Sequence, residues 1–387
     1  MNPADARRAN AREIFHAIRK APGSSQTEIV RQTGLDKTTV STVIQRFEEM
    51  GVIVRETRRT ASRRGRPTDS ISFGPSAGLL IGMSVEFDRI SFVSATFDGR
   101  PVQFFIRYYD GLIETARDVI VDGIRMLAGI ATPELGPLRA VGICVTGPLG
   151  HDGRLRHMPQ ALADLPIVEM VQNVTDLPVF ADNDANAAAL AEHLFGSNAG
   201  ANDFVYLNLG SGVGGGLLLN GQVYRGADGF AGEIGHVKVV PHGRKCRCGG
   251  LGCLSAYVCE PNLIERLNEI GISAGSVEDL ISLGLAGDDR VRALMEETGT
   301  ILGTALANLA NTLNPSLIIL GGRVSALLPL MKVHLQQAFD EGTLGALRVN
   351  CEVVQSTLTG DVAALGATAL ALEGFSSFSG GEGATAK

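Results

Sequence analysis

Leu177-Pro178-Val179-Phe180-Ala181-Asp182-Asn183-Asp184-Ala185-Asn186 decides the fold. A short apolar run closes in four polar residues and leads directly into the alanine-rich stretch Ala187–Phe195, whose composition favours a helix. A strand over Val179–Ala181 thus carries its polar groups at its carboxyl end, the position where open α/β sheets hold ligands. Helix capping by Asp182 or Asn183 accounts for one of these residues and leaves the others unexplained. An amide beside a carboxylate suits vicinal hydroxyls, and in a kinase Asp184 would be the base that takes the proton from the attacking hydroxyl.

Outward from this point the body repeats the same grammar. Strand-like runs stand at Gly78–Val85, Ile90–Ala95, Ala140–Val145, Phe204–Leu209, Gly216–Leu219 and Leu317–Leu320, several of them separated by helical stretches. Such alternation predicts an α/β architecture with a mainly parallel sheet and two lobes around a cleft. Downstream, Asn208-Leu209-Gly210-Ser211-Gly212-Val213-Gly214-Gly215-Gly216 runs a strand into a glycine-dense turn, whose backbone N–H groups can approach an anion, although glycine turns serve hairpins of any function. Gly232-Glu233-Ile234-Gly235-His236 then sets a carboxylate and an imidazole three residues apart. His236 is followed by Cys246-Arg247-Cys248-Gly249-Gly250-Leu251-Gly252-Cys253, four candidate ligands of the type and number that a closed tetrahedral zinc site requires. The bland alternative is a cluster of reduced, inert cysteines, and Cys259 is a possible substitute ligand outside the tight group. Zinc in such a set is structural, and one imidazole nitrogen on the metal leaves the other free to meet a ligand hydroxyl.

Upstream the chemistry changes sign. Residues 1–73 hold 14 Lys and Arg against 8 Asp and Glu, while residues 74–387 hold 20 against 33, so a basic head precedes an acidic body. That asymmetry fits a head that binds a polyanion. Three amphipathic segments fill it: Ala9–Lys20 with Ile14, Phe15 and Ile18 inward, Gln26–Thr33 with Ile29 and Val30, and Lys37–Met50 with Val40, Val43, Ile44 and Phe47. Ser25 and Glu28 have capping-box spacing, Asp36 can cap the third helix, and Thr33-Gly34-Leu35-Asp36 is the tight turn of a helix-turn-helix. The third segment offers Lys37, Thr38, Thr39, Ser41, Thr42, Gln45 and Arg46 to base edges and phosphates in a major groove. Gly51-Val52-Ile53-Val54-Arg55 and Ser70-Ile71-Ser72-Phe73 read as two wing strands, joined by a basic stretch with Arg63, Arg64 and Arg66 suited to a minor groove. A solvated linker between domains is the alternative for that stretch. No apolar run approaches the roughly 20 residues that span a bilayer, and no signal-peptide pattern opens the chain, so a cytoplasmic protein without membrane contact is expected. Residues 376–387 are Gly/Ser-rich and expected to be disordered.

Jointly and in this order, the helix-turn-helix with its Gly65-Arg66-Pro67 wing, Asn183-Asp184, Gly232-Glu233-Ile234-Gly235-His236 and Cys246-x-Cys248-x4-Cys253 resemble the ROK family (repressor, open reading frame, kinase), in its DNA-binding regulator branch. The resemblance covers nearly the whole chain. It implies a winged helix-turn-helix domain over 1–73 and, over 74–375, a two-lobed sugar-kinase-like α/β domain of the actin-like ATPase, ribonuclease H-like type. It also implies sugar contacts at Asn183, Asp184, Glu233 and His236, zinc on His236, Cys246, Cys248 and Cys253, and a homodimer or homotetramer. Asn314-Pro315-Ser316-Leu317-Ile318-Ile319-Leu320-Gly321-Gly322 is similar to the family's stretch near the adenosine of the nucleotide.

Two departures stand out. Family kinases carry an Asp-x-Gly-Gly-Thr phosphate loop where this chain reads Ser84-Val85-Glu86-Phe87-Asp88, so bulky and acidic groups replace glycines that would meet a triphosphate. Ser255 stands where the family commonly places a sugar-contacting glutamate, a change that puts the identity of the ligand in doubt. The expectation is therefore a repressor of carbohydrate genes that binds an operator and a sugar, with Asp184 a vestigial base and no catalytic residue. The alternatives are an ATP-dependent sugar kinase with an attached DNA-binding module, and a ligand-independent regulator.

Overall fold

Asn2 opens the first helix: its side chain accepts the Asp5 amide at 2.8 Å and Pro3 takes a position whose amide needs no partner, so α1 runs Pro3–Lys20. Apolar spacing placed this start at Ala9, because the buried residues Ala11, Ile14, Phe15 and Ile18 all lie beyond it. The computed structural model describes residues 2–58, 68–86, 88–150, 153–155 and 166–377. They fall into two units, Met1–Asn183 with Ala363–Lys387, and Asp184–Val362.

In the first unit, α2 (Gln26–Thr33) begins on the reciprocal Ser25–Glu28 capping box, and α3 (Lys37–Glu49) begins on Asp36. Between them Gly34 adopts φ +67°, the left-handed cap that turns the chain. Ile14, Phe15, Ile18, Ile29, Val40, Ile44 and Phe47 are buried together as the spacing predicts. The wing pairs β1 (Ile53–Arg58) antiparallel with β2 (Thr68–Phe73), in register from Ile53 opposite Phe73. Arg63, Arg64 and Arg66, expected as minor-groove contacts, lie outside the described residues.

The first unit continues into a sheet of β3 (Leu79–Val85), β4 (Arg89–Ala95), β5 (Pro101–Tyr108), β6 (Leu138–Val145) and β7 (Val179–Asn183), in the order β5-β4-β3-β6-β7. α4 (Ile113–Ala128) covers one face through Ile120, Ile124 and Leu127, and the short α5 (Ile167–Gln172) adds Ile167 and Val171 to the same core. All seven residues of β3 are buried, which is why it reads as an unbroken apolar run rather than an alternating one.

The second unit opens with α6 (Asp184–Phe195), which follows β7 without an intervening residue. Its sheet comprises β8 (Phe204–Leu209), β9 (Val213–Leu219), β10 (Gln222–Val223), β11 (Leu317–Gly321) and β12 (Glu352–Gln355), in the order β10-β9-β8-β11-β12. Helices α7 (Ser255–Val258), α8 (Glu260–Glu269), α9 (Val277–Leu285), α10 (Asp289–Leu313), α11 (Leu328–Gly342) and α12 (Gly345–Arg348) complete it. Leu302 and Leu306 of α10 meet Leu335 and Phe339 of α11 in the largest core.

Each sheet is mixed, with two antiparallel pairings and two parallel ones, where one mainly parallel sheet was expected. The difference arises at β4, β5, β9 and β10: each follows its neighbour after a short turn that leaves no length for a helical crossover.

α13 (Val362–Ser376) carries the chain back to the first unit. It lies against β3 and β6, where any side chain at Gly82 or Gly142 would collide with its backbone. Its far end meets the head: Glu373 pairs with Arg12 and, at 2.9 Å, with His16, and Phe375 packs on Phe15 and Phe97. Arg139 donates to the carbonyls of Met50 and Ala77, both at 2.8 Å, tying the start of the wing to the first sheet. Among the described residues no helix is long and apolar enough to cross a membrane.

Candidate functional site

A 3-10 turn over Ile234–His236 follows Glu233. With three residues per turn, positions i and i+3 project from the same side. Glu233 Oε2 accordingly lies 3.8 Å from His236 Nε2, and both side chains are 44% exposed, open to a ligand. The other imidazole nitrogen, Nδ1, faces Cys246 Sγ at 3.7 Å. The two ring nitrogens of His236 thus face different groups, Glu233 on one side and Cys246 on the other.

Behind it, His236, Cys246, Cys248 and Cys253 bring their ligand atoms within 4.8 Å of one another. A tetrahedral zinc ion with bonds of about 2.3 Å to sulfur separates two thiolates by about 3.8 Å. Cys248 and Cys253 are 3.7 Å apart, so the donor set and its spacing both fit such an ion. Burial pushes the Cys246 thiol up to about 11, whereas the Gly250 amide holds the exposed Cys248 thiol below its ordinary value. Cys259, considered as a substitute ligand, is outside the group; it is buried at the start of α8, and burial raises its thiol.

The loop bearing the cysteines is anchored from below. The Arg244 amide donates to the Tyr257 hydroxyl at 2.7 Å, and the Arg244 guanidinium pairs with Glu269 of α8. Ser255, the first residue of α7, is buried and its carbonyl accepts from Asn262 at 2.7 Å. Its hydroxyl lies so close to Gly235 that a Cβ there would collide with it, which places Ser255 beside the Glu233–His236 turn. Sequence reasoning missed two supporting residues. Asn262 gives no signal beyond its place on α8, while Lys238, whose ammonium contacts Cys253 Sγ at 2.8 Å, is flagged only by its position two residues after His236.

In the first unit, Asn183 ends β7 with its amide donating to the Gly147 carbonyl at 2.8 Å, and its backbone N–H donates to the buried Asp182 at 2.8 Å. Asp184, half-buried, starts α6 in the second unit. The glycines of β9 have a packing cause: a Cβ on Gly216 would collide with Ala185, and one on Gly215 with Ile234. Gly210 and Gly212 of the preceding turn face open space instead.

Glu86 and Arg89 bridge the turn between β3 and β4. Arg89 donates through Nε and Nη2 to Glu86 Oε1 at 2.9 and 2.6 Å, and the Tyr109 amide donates to the Asp88 carbonyl at 3.0 Å. Ser84 is buried in β3. Phe87 lies outside the described residues.

On the head, Lys37, Thr38, Ser41, Thr42 and Gln45 are exposed on α3, and Thr39 and Arg46 are half-buried. Thr39 spends its hydroxyl on the Asp36 cap at 2.6 Å, and Thr42 donates to the Thr38 carbonyl at 2.9 Å. Lys37, Ser41 and Gln45 recur at spacing four and define one solvent-facing stripe.

Residues 107–374 match the ROK family, and residues 10–64 match the MarR family. The xylose repressor of Bacillus subtilis (strain 168) is 27% identical over 371 residues, which span 95% of this chain and 96% of the repressor. Among solved structures, a ROK family transcriptional regulator described as a homolog of the E. coli MLC protein superposes with a TM-score of 0.85. At 22% identity over 96% of this chain and 97% of its own, it supports the fold of head and body alike. The ROK hexokinase from Thermus thermophilus has a TM-score of 0.65 and 28% identity, over 76% of this chain and 97% of its own. With more than half of its length matched by the family, this chain belongs to the ROK family.

Proposed function

We propose that this chain is a transcriptional repressor of carbohydrate genes whose affinity for an operator answers to a sugar. The observation that carries this reading is the full-length similarity to a xylose repressor, head included, over 95% of this chain and 96% of that protein. In this reading α3 enters the major groove with Lys37, Thr38, Thr39, Ser41, Thr42, Gln45 and Arg46, and Arg63, Arg64 and Arg66 reach the adjacent minor groove. A homodimer, or a homotetramer of two such dimers, sets its recognition helices about 34–36 Å apart on a palindromic site.

The sugar is held by Asn183, Asp184, Glu233, His236 and Ser255. Glu233 accepts hydroxyl protons, Asn183 both donates and accepts, and Asp184 binds a hydroxyl without transferring its proton. His236, Cys246, Cys248 and Cys253 hold a structural zinc, which when bound fixes the orientation of the His236 ring. The His236 Nε2 edge, beside Glu233, then meets the ligand. The sugar acts by preferring one of two conformations, and operator affinity follows in proportion to that preference. The protein works in the cytoplasm.

Phosphoryl transfer is absent from this reading because Glu86 and Arg89 occupy the turn where a kinase needs glycines for its phosphates. A kinase remains the second reading, favoured by Asp184 and the open Gly210–Gly212 turn and by the 28% identity to a hexokinase. A coupled assay for ADP release across a sugar panel, with D-xylose first, tests the two. No turnover is expected; sugar-dependent ADP release that disappears in Asp184→Asn would establish the kinase. A sugar that binds yet leaves operator affinity unchanged would leave only a ligand-independent regulator.

A further inference from the structure

Lys238 stands opposite Cys253 in a short antiparallel bridge. Two backbone hydrogen bonds flank the pair: the Val239 amide donates to the Gly252 carbonyl at 2.9 Å and the Leu254 amide to the Val237 carbonyl at 3.0 Å. This ladder fixes the Lys238 side chain over the cysteine loop, and its Nζ donates to Cys253 Sγ at 2.8 Å. The path of the side chain is kept clear by Gly250, where a Cβ would collide with Nζ while lying at ordinary contact distance, 3.5 and 3.6 Å, from the sulfurs of Cys248 and Cys253. Two features of the loop, the bridge and the missing side chain at residue 250, therefore converge on one ammonium.

The charge of the centre gives this convergence a purpose. A divalent ion with three thiolates and a neutral imidazole carries one net negative charge, and one ammonium on a thiolate sulfur brings the sum to zero. The loop also carries Arg244, Lys245 and Arg247; Arg244 is committed to Glu269, and the ammonium on a cysteine sulfur is that of Lys238. We propose that Lys238 is a positioning residue of the metal centre, which neutralises the thiolate-rich site through Cys253 and slows loss of the ion. The inference rests on the zinc reading above and goes beyond it by assigning a residue outside the ligand set.

The test uses the full zinc-loaded chain and follows transfer of zinc to a chelating dye. Partners of this outer kind change metal affinity by about 10–100-fold when removed. Lys238→Met is expected to release zinc at least tenfold faster than the wild type, and Lys238→Arg to stay near the wild-type rate. Gly250→Ala, which retains the lysine but displaces its ammonium, is expected to release zinc faster as well and guards against a folding defect peculiar to the methionine variant. Cobalt(II) substitution provides the second readout: the sulfur-to-cobalt absorption band persists in Lys238→Met, because the ligands are intact, but moves to lower energy. Wild-type release rates in both Lys238→Met and Gly250→Ala would overturn the proposal. A wild-type protein that takes up neither zinc nor cobalt would instead overturn the zinc reading itself, a failure visible before any variant is made.

Discussion

The sheets of the two units share one plan, two antiparallel pairings followed by two parallel ones, yet the hairpins at their first turns differ. The β3–β4 turn is closed on itself, with the Glu86 carboxylate held by Arg89 and the Asp88 carbonyl by the Tyr109 amide. The β8–β9 turn keeps Gly210 and Gly212 beside open space, and its Gly210 carbonyl accepts from the Glu260 amide at 2.9 Å. One framework thus carries an occupied half and an open half. The occupied half also holds the DNA-reading head through α1 and α13, and the open half holds Glu233, His236, Ser255 and the cysteine cluster. Two sheets of the same plan can thus differ at one turn, where side chains bridge the first and glycines leave the second open.

The largest effect should come from unpacking the head from the rest of its own unit. Phe15 packs against Phe47, Phe73, Phe97 and Phe375, and is fully buried. Phe15→Ala should cost about 3–5 kcal/mol. Fluorescence anisotropy should then find operator binding lost, while the sugar still raises the melting temperature. A loss of both together would mean that the head and the sugar site do not divide the labour in this way.

Glu233→Ala is the converse experiment. Removal of one charged acceptor costs about 1.5–3 kcal/mol, or roughly 10–100-fold in sugar affinity by titration calorimetry, with operator affinity in the absence of sugar unchanged. An unchanged sugar affinity would remove Glu233 from the site.

A smaller effect is expected at Glu192, buried on α6 with one oxygen on the Ser356 hydroxyl and Oε2 without a partner. Burial raises its carboxyl above the ordinary range, partly offset by the bond from Ser356. With the folded value raised, the stability it contributes is complete below the unfolded value and is lost as pH rises through the folded one. Glu192→Gln should therefore gain melting temperature over the wild type at pH 8 relative to pH 5, by roughly 2 °C. A pH-independent difference would deny the effect of burial.

Least of all should change on reopening the closed turn. Glu86→Gly with Asp88→Gly should leave MgATP without effect on melting, because the buried Ser84 offers no carboxylate to a metal–phosphate group. An ATP shift in that variant would show that the two hairpins differ by those side chains alone.

Much of this was legible in the chain. The Ser25–Glu28 box, the Asp36 cap and the apolar spacing of the head are local signals, and the elements they define were found where local physics puts them. Phe204–Leu209 was readable to the residue because a strand buried in a sheet centre shows as an apolar run bounded by turn residues. The cysteine cluster was legible because its ligand spacing is dictated by the metal it suits. What escaped depends on tertiary context. β5 is an edge strand with Pro101 at its start and exposed Val102, Phe104 and Tyr108, so it has no clean alternation to read. The contact of α13 with the head joins residues 357 positions apart, as His16 and Glu373 are, and no local rule reaches that far. Lys238 was passed over because an isolated lysine carries no pattern; only the bridge to Cys253 gives it meaning.

The central claim is that a sugar alone, without nucleotide, changes the grip of this protein on DNA. The direct measurement is fluorescence anisotropy of a labelled operator, first isolated by selection from random duplexes, titrated with the zinc-loaded protein in the presence of D-xylose and related sugars. The account predicts that one sugar moves the operator affinity by roughly 5–150-fold in the absence of ATP. Operator affinity that no sugar changes, or that changes only when ATP is added and consumed, would contradict it.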